Sequence, residues 1–178
     1  MLKIILIVLA VCIGGVLVAA STRPNTFHVE RSAIINAAPD ALYPLVQDFH
    51  QWSAWSPYEK YDPNMKRSFS GAPNGVGAVY AWSGNSKAGE GRMEVTEGVP
   101  SSRIKIQLDF TKPIESHNVA TFLFLPVGGG TKVTWAMDGP SPFVSKVMGL
   151  FLSMDRLIGT DFESGLANLK AAAEGGRH

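Results

Sequence analysis

His28, His50, His117 and His178 are the four histidines of the chain, and none stands in a His-x-x-x-His or His-Glu-x-x-His spacing. The single cysteine, Cys12, lies in an apolar N-terminal run, so the rest of the chain has no thiol nucleophile, disulfide or cysteine metal ligand. No metal site and no cofactor is expected from this set. Asp48 and His50 sit two apart, a spacing that places them on different sides of a helix, and both are expected in solvent. No Gly-x-Ser-x-Gly elbow is present, because Gly84-Asn85-Ser86-Lys87-Ala88-Gly89 fails the spacing. Gly75-x-Gly77 and Gly89-x-Gly91 lack the third glycine of a dinucleotide loop. Gly128-Gly129-Gly130-Thr131-Lys132 has threonine and lysine in the wrong order for a phosphate loop and reads as a hairpin turn.

One carboxylate stands apart. Glu90 lies between Gly89 and Gly91, where a backbone bulge can turn a polar side chain inward. Buried there, it would have a raised pKa and serve as an acid or base. The competing arrangement is an outward glutamate beside a bulge. Arg92 and Tyr80 are its candidate polar partners, and these three are the candidate catalytic residues. They fall short of the convergent group that proton shuttling requires.

Two tryptophans need a different account. In DFHQWSAWSPYEKYDP, Trp52 and Trp55 share one face of a turn too short to hold itself up. The elements around them supply the reason. Thr26–Asn36 reads as a strand. AAPDALYPLVQDF reads as a helix opened by Pro39, with Pro44 tolerated only if the helix is short or bent. A second short helix is predicted over Gln51–Trp55, stopped by Pro57. Six runs separated by turn residues then follow: MKRSFSG, GAVYAWSG, GEGRMEVTEG, RIKIQLDF, NVATFLFLP and TKVTWAMDG. Their spacing, with no helical insert, predicts an antiparallel meander. In RIKIQLDF, Ile104, Ile106, Leu108 and Phe110 alternate with Arg103, Lys105, Gln107 and Asp109, giving one dry face and one wet face. From Pro142 to Leu169 apolar residues recur every three to four positions, which predicts one long amphipathic helix interrupted only by Gly159 and Gly165.

A single helix about 10 Å across cannot fill the hollow of a strongly bent sheet of six or seven strands. A cavity is therefore expected, with the Trp52–Trp55 turn as a lid on one end, held by indole burial.

The N-terminus is a separate unit. Ile4–Ala20 is an uncharged, mostly aliphatic run of 17 residues. It reaches about 25 Å, and Leu2 with Ser21-Thr22 extends it toward the roughly 30 Å of a hydrocarbon core. It reads as a single-pass anchor through residues 4–20. The alternative is a secretory signal cut after Val18-Ala19-Ala20. With its N-terminus inside, the anchor would put the domain on the extracytoplasmic side, periplasmic in a bacterium. The expected organisation is anchor or signal 1–22, linker 23–26, domain 27–174 and tail 175–178. Lys3 is the only charged residue in the first 20, so the remainder carries 15 basic and 15 acidic residues. A neutral domain without a basic cluster excludes nucleic acid as an expected partner.

The chain resembles the SRPBCC, or START-like helix-grip, superfamily, in its polyketide cyclase/dehydratase-like branch. The stretches that carry the resemblance are HVERSAIINAAPDALYPLVQDFHQWSAWSPY, DPNMKRSFSGAPNGVGAVYAWSGN, AGEGRMEVTEGVP, GGGTKVTWAMDGP and MDRLIGTDFESGLANLK, in the family's order. The resemblance implies an α+β fold, a curved antiparallel sheet wrapped on a C-terminal helix. It also implies a deep pocket whose mouth lies near the short helices and the strand-connecting loops. By strand parity, Met93, Val95, Ile104, Ile106 and Leu108 are expected to point into it, as are Phe122, Phe124, Val133, Trp135 and Met137. Tyr80 and Trp82 are their companions, Trp52 and Trp55 close one end, and Phe151, Met154, Ile158 and Phe162 face them from the helix.

The superfamily spans lipid carriers, allergens, cyclases and chaperone activators, so fold leaves function open. The leading expectation is a membrane-tethered, non-catalytic binder of a hydrophobic or amphipathic small molecule, such as a lipid. One alternative is a cyclase, dehydratase or hydrolase that uses the same cavity. The other is a protein-interaction module, whose exposed apolar patch would start at the outward Leu123 and Leu125.

Overall fold

The apolar run forms a lone helix, α1 (Leu2–Ser21), whose side chains are almost all exposed. The computed structural model describes residues 1–151 and 153–175, the Met154 side chain apart. After α1 come β1 (Thr26–Ile35), α2 (Pro39–Gln47) and two 3₁₀ turns, Phe49–Ala54 and Pro57–Lys60. The meander is β2 (Lys66–Gly71), β3 (Ala78–Ser83), β4 (Glu90–Val99), β5 (Arg103–Lys112), β6 (Ser116–Val127) and β7 (Gly130–Pro140). Two helices, α3 (Phe143–Met148) and α4 (Met154–Gly175), complete the described chain.

The seven strands form one antiparallel sheet in the order β1-β7-β6-β5-β4-β3-β2. β1 thus adds beside the last strand, while the other six follow the meander expected from their turn residues. α4 packs across β1 and β7 on the inner face, which gives the α+β helix-grip arrangement. Period-two alternation sets that face: Ile104 and Ile106 are buried, as are Met93 and Val95, Phe122 and Phe124, Val133 and Trp135.

Two helical expectations are corrected. The single helix predicted from Pro142 is two, because α3 ends at Gly149, whose N–H bonds to the Ser145 carbonyl at 2.8 Å. Ser153 then caps the next helix, its Oγ accepting the Arg156 N–H at 3.2 Å. Periodicity alone does not register a glycine stop followed by a serine start. The helix predicted over Gln51–Trp55 is a 3₁₀ turn beginning at Phe49, with a second turn after it. Asp48 is the cap of the first turn and accepts both the His50 backbone N–H at 2.9 Å and the ring Nδ1 at 2.8 Å. The expected separation of Asp48 and His50 therefore does not hold, since a capping geometry folds the pair together.

The glycines of α4 allow close approach. A Cβ on Gly165 would lie 2.6 Å from the Trp135 ring, and one on Gly159 would lie 2.1 Å from the Arg31 guanidinium. Arg31, on the inner face of β1, grips the start of α4 with a bidentate pair to Asp155 at 2.9 Å and a bond to Glu163 at 2.7 Å.

Candidate ligand cavity

Between sheet and α4 lies a cavity of about 840 Å³, within the range of small-molecule sites. Its wall is mostly aliphatic and aromatic, and the inward positions of β3 to β7 build it. Of the residues expected there, Trp52, Tyr80, Trp82, Met93, Ile106 and Leu108 line it, as do Trp135, Met137, Ile158 and Phe162.

The others divide by depth. Trp55, Val95, Ile104, Phe122, Phe124 and Val133 are fully packed and do not reach the void. Strand register shows why. Phe122 pairs with Ile104 on one side and Trp135 on the other, and beyond that level Phe124 meets Val133 and the Tyr43 ring. α2 and the first 3₁₀ turn fill that half of the hollow, so parity chose the correct face without seeing where solid packing begins. Phe151 is corrected outright: it is 74% exposed, because the break between α3 and α4 swings it out of the helical phase. The Met154 side chain lies outside the described residues.

The Trp52–Trp55 turn is likewise not a lid at the opening. Trp52 Nε1 donates to the Val46 carbonyl and Trp55 Nε1 to the Leu45 carbonyl, each at 2.9 Å. The two rings lie 4.8 Å apart, tilted at 51°, and meet Phe122 and Trp135 edge-on. Trp52 forms the inner floor, with Trp55 packed beneath it. The mouth is at the opposite end of the strands, where exposed Lys87, Ile114, Glu115, His117, Pro142 and Leu157 make the rim. The strand-connecting loops therefore frame the opening as expected, whereas the first 3₁₀ turn does not.

The three candidate catalytic residues do not converge. The β4–β5 register does shift at Glu90/Gly91, but Gly91 takes the inward position. A Cβ there would lie 2.6 Å from both the Trp82 ring and the Asp109 carbonyl. Glu90 turns outward to Lys112 and to the Ser83 hydroxyl, each bonded at 3.1 Å, and these partners hold its carboxyl below the usual range. Arg92 is also outward, bonded to Glu94 at 2.5 Å. Only Tyr80 faces the cavity.

The polar wall comes from elsewhere. The Tyr80 hydroxyl donates to Glu59 Oε1 at 2.7 Å, and Arg67 Nε donates to the other Glu59 oxygen at 2.7 Å. The Tyr61 hydroxyl donates to Asp161 Oδ1 at 2.6 Å. Burial first, then the neighbouring carboxylate, pushes the Tyr61 hydroxyl up to about 12 and Tyr80 higher still. Burial does the same to Tyr58. All three phenols therefore stay protonated at neutral pH, and those of Tyr61 and Tyr80 are donors. Glu59, Tyr61 and Asp161 were not among the sequence candidates. One signal pointed at Asp161: it lies three residues after Ile158 and one before Phe162, on the helix face expected to turn inward.

Among the described residues, two buried polar atoms lack hydrogen-bond partners, Asn118 Oδ1 and Trp135 Nε1. Trp135 is pressed between Phe122 at 4.9 Å and Phe162 at 4.1 Å, so stacking fixes its ring without regard to its N–H. Among the same residues, no group of three or more His, Cys, Asp or Glu is arranged to hold a metal ion. Leu123 and Leu125 stand exposed on the outer face of the sheet.

Residues 26–174 match the family described as polyketide cyclase / dehydrase and lipid transport. Among solved structures, the chain is similar to the Aha1 dimer from Colwellia psychrerythraea, with TM-score 0.60 and 17% identity over 85% of this chain and 99% of that one. XoxI from Bacillus cereus gives TM-score 0.60 and 17% identity, over 85% and 98% of the two chains. A protein from Chromobacterium violaceum gives 0.59 and 16%, over 85% and 99%. Likeness at these identities carries the fold alone. No curated protein matches this chain.

Proposed function

The chain belongs to the polyketide cyclase / dehydrase and lipid transport family, and from that membership we propose that it is a membrane-tethered binder of a hydrophobic or amphipathic small molecule, lipids included, without covalent chemistry. The observation that carries this reading is the cavity itself: about 840 Å³, walled chiefly by apolar and aromatic side chains. A lipid-like guest would bury most of its surface there. In this reading α1 is the tether, and the domain stands on the extracytoplasmic side. The helix is long and apolar enough to cross a bilayer, with a mean hydropathy of 2.9.

Native mass spectrometry of the full chain, extracted from membranes in a mild detergent, tests the proposal. A non-covalent small-molecule adduct is expected on the parent protein and lost from Ile106→Trp, which fills the cavity from its wall. A parent protein that carries no adduct after incubation with total lipid extract would overturn the reading.

An enzymatic reading has one observation in its favour. Two carboxylates, Glu59 and Asp161, line the cavity, and each accepts a bond from a tyrosine hydroxyl. It predicts that a bound molecule changes mass on incubation, and that Glu59→Gln or Asp161→Asn stops the change while the molecule still binds. Recovery of the ligand chemically unaltered favours the binder.

A further inference from the structure

The tether and the mouth are at the same end of the molecule. α1 ends at Ser21 and β1 begins at Thr26, so only Thr22, Arg23, Pro24 and Asn25 join them. The five steps from Ser21 to Thr26 span at most about 18 Å when fully extended. Thr26 is paired with Pro140, the last residue of β7, and both Phe27 and Pro140 belong to the cavity lining. Wherever α1 leaves a bilayer, the Thr26 end of β1 therefore lies within about 18 Å of that surface, and the opening is at that end of the strands. α1 also packs against α3.

The surface around the opening suits that position. α3 buries none of its residues. Phe143, Val144 and Met148 on α3, with Phe151 just after it, are exposed. Ile114 and Leu157, both on the rim, are 58% and 57% exposed. An apolar cluster of this kind is uncommon on a soluble surface, and here it continues directly from the end of an apolar helix. Lys146 and Arg156 lie beside these residues in sequence, Arg23 follows α1 and lines a groove with Lys146 and Phe151, and none of the three is in a salt bridge to a carboxylate among the described residues. Basic groups beside an apolar face complement anionic lipid headgroups.

We propose that the mouth end of the domain docks on the bilayer that α1 spans, with α3 and the rim residues Ile114 and Leu157 seated in the interface, so that the cavity opens onto lipid rather than onto water. This rests on the tether reading above, and it adds an orientation: the axis of the cavity stands toward the membrane, and a guest passes between bilayer and cavity without crossing solvent.

The test uses the full chain with Cys12→Ser, reconstituted into vesicles of phosphatidylcholine and phosphatidylglycerol. Single cysteines at Val144 and Leu157 report the docking face, one at Val8 reports α1, and one at Leu123 reports the outer face of the sheet. All four positions are exposed, so a label disturbs no core packing. Each carries an environment-sensitive fluorophore, and the vesicles contain spin-labelled lipid as quencher. Emission from Val8, Val144 and Leu157 is expected to shift to the blue and be quenched, while Leu123 stays as in water. If Val8 is quenched but Val144 and Leu157 behave like Leu123, docking is overturned and the tether stands. If Val8 is not quenched, the tether falls and docking falls with it. Cross-linking between copies through Val144→Cys, without quenching, would assign the face to a second copy of the chain and overturn the proposal as well.

Discussion

Tyrosine is the titratable side chain whose every copy in this chain is shifted by burial. The chain has four, Tyr43, Tyr58, Tyr61 and Tyr80, and burial raises every one of them above the ordinary value of 10.0. For a group whose folded pKa lies above its unfolded pKa, the unfolded chain gives up its proton first as pH rises. The stabilising contribution is thus complete below pH 10 and is lost as pH climbs through the folded values, that of Tyr61 being about 12. An alkaline titration followed by phenolate absorbance and circular dichroism should show tyrosinate appearing only together with unfolding. A tyrosine that ionises near pH 10 while the fold persists would contradict the burial described here. Tyr61→Phe leaves Asp161 without its donor and should cost about 1–3 kcal/mol in a denaturation experiment. Little of this polar wall was legible beforehand. Glu90 drew notice because it sits between glycines, but glycine at position 91 is there to admit the Trp82 ring, not to turn Glu90 inward. The residues that do face the cavity, Glu59 and Asp161, lie on a 3₁₀ turn and a helix whose placement depends on long-range packing.

At the level of elements, strands were more readable than helices. A period of two survives any twist of the sheet, so the buried sides of β4 and β5 follow from alternation alone, whereas β7 buries Thr134 and Ala136 on its other face as well. Helical phase, by contrast, is lost at a single interruption, and the stop at Gly149 carried Phe151 from the expected cavity wall into solvent. The two glycines inside α4 then make a matched pair of predictions. Gly165→Ala gains up to about 1 kcal/mol of helix propensity. It also forces a methyl group against the rigid Trp135 ring, an overpacking of about 1–3 kcal/mol, so a net loss of stability is expected. Gly159→Ala meets the flexible end of Arg31 instead, which can withdraw from Asp155 and Glu163. Thermal unfolding in detergent should show the larger loss at Gly165, and the reverse order would refute the role given to Trp135. Trp55→Phe keeps the ring but strands the Leu45 carbonyl, with an expected cost of about 1–3 kcal/mol.

The whole molecule is divided lengthwise into a packed half and a hollow half. Ile104, Phe122, Phe124 and Val133 sit in the first with 0–4% exposure, whereas β2, at the sheet edge, exposes all six of its residues. Local opening should follow that division. Amide hydrogen exchange is expected to be slowest at the four packed positions and fast in β2 and the rim loops, and uniform protection along the sheet would contradict the division. A sequence can signal that one rod will not fill a curved sheet, and here it did. It could not say how far α2 and the tryptophan turn would plug the gap, since that depends on the volumes of side chains drawn from five separate elements.

The indole floor has a kinetic consequence. A sleeve open at both ends lets one occupant push another through, but this one is a blind tube. Whatever goes in must back out by the same route, so an incoming competitor has to wait for the resident to leave. Exchange should then proceed at a rate fixed by spontaneous departure, unchanged as the concentration of challenger is increased.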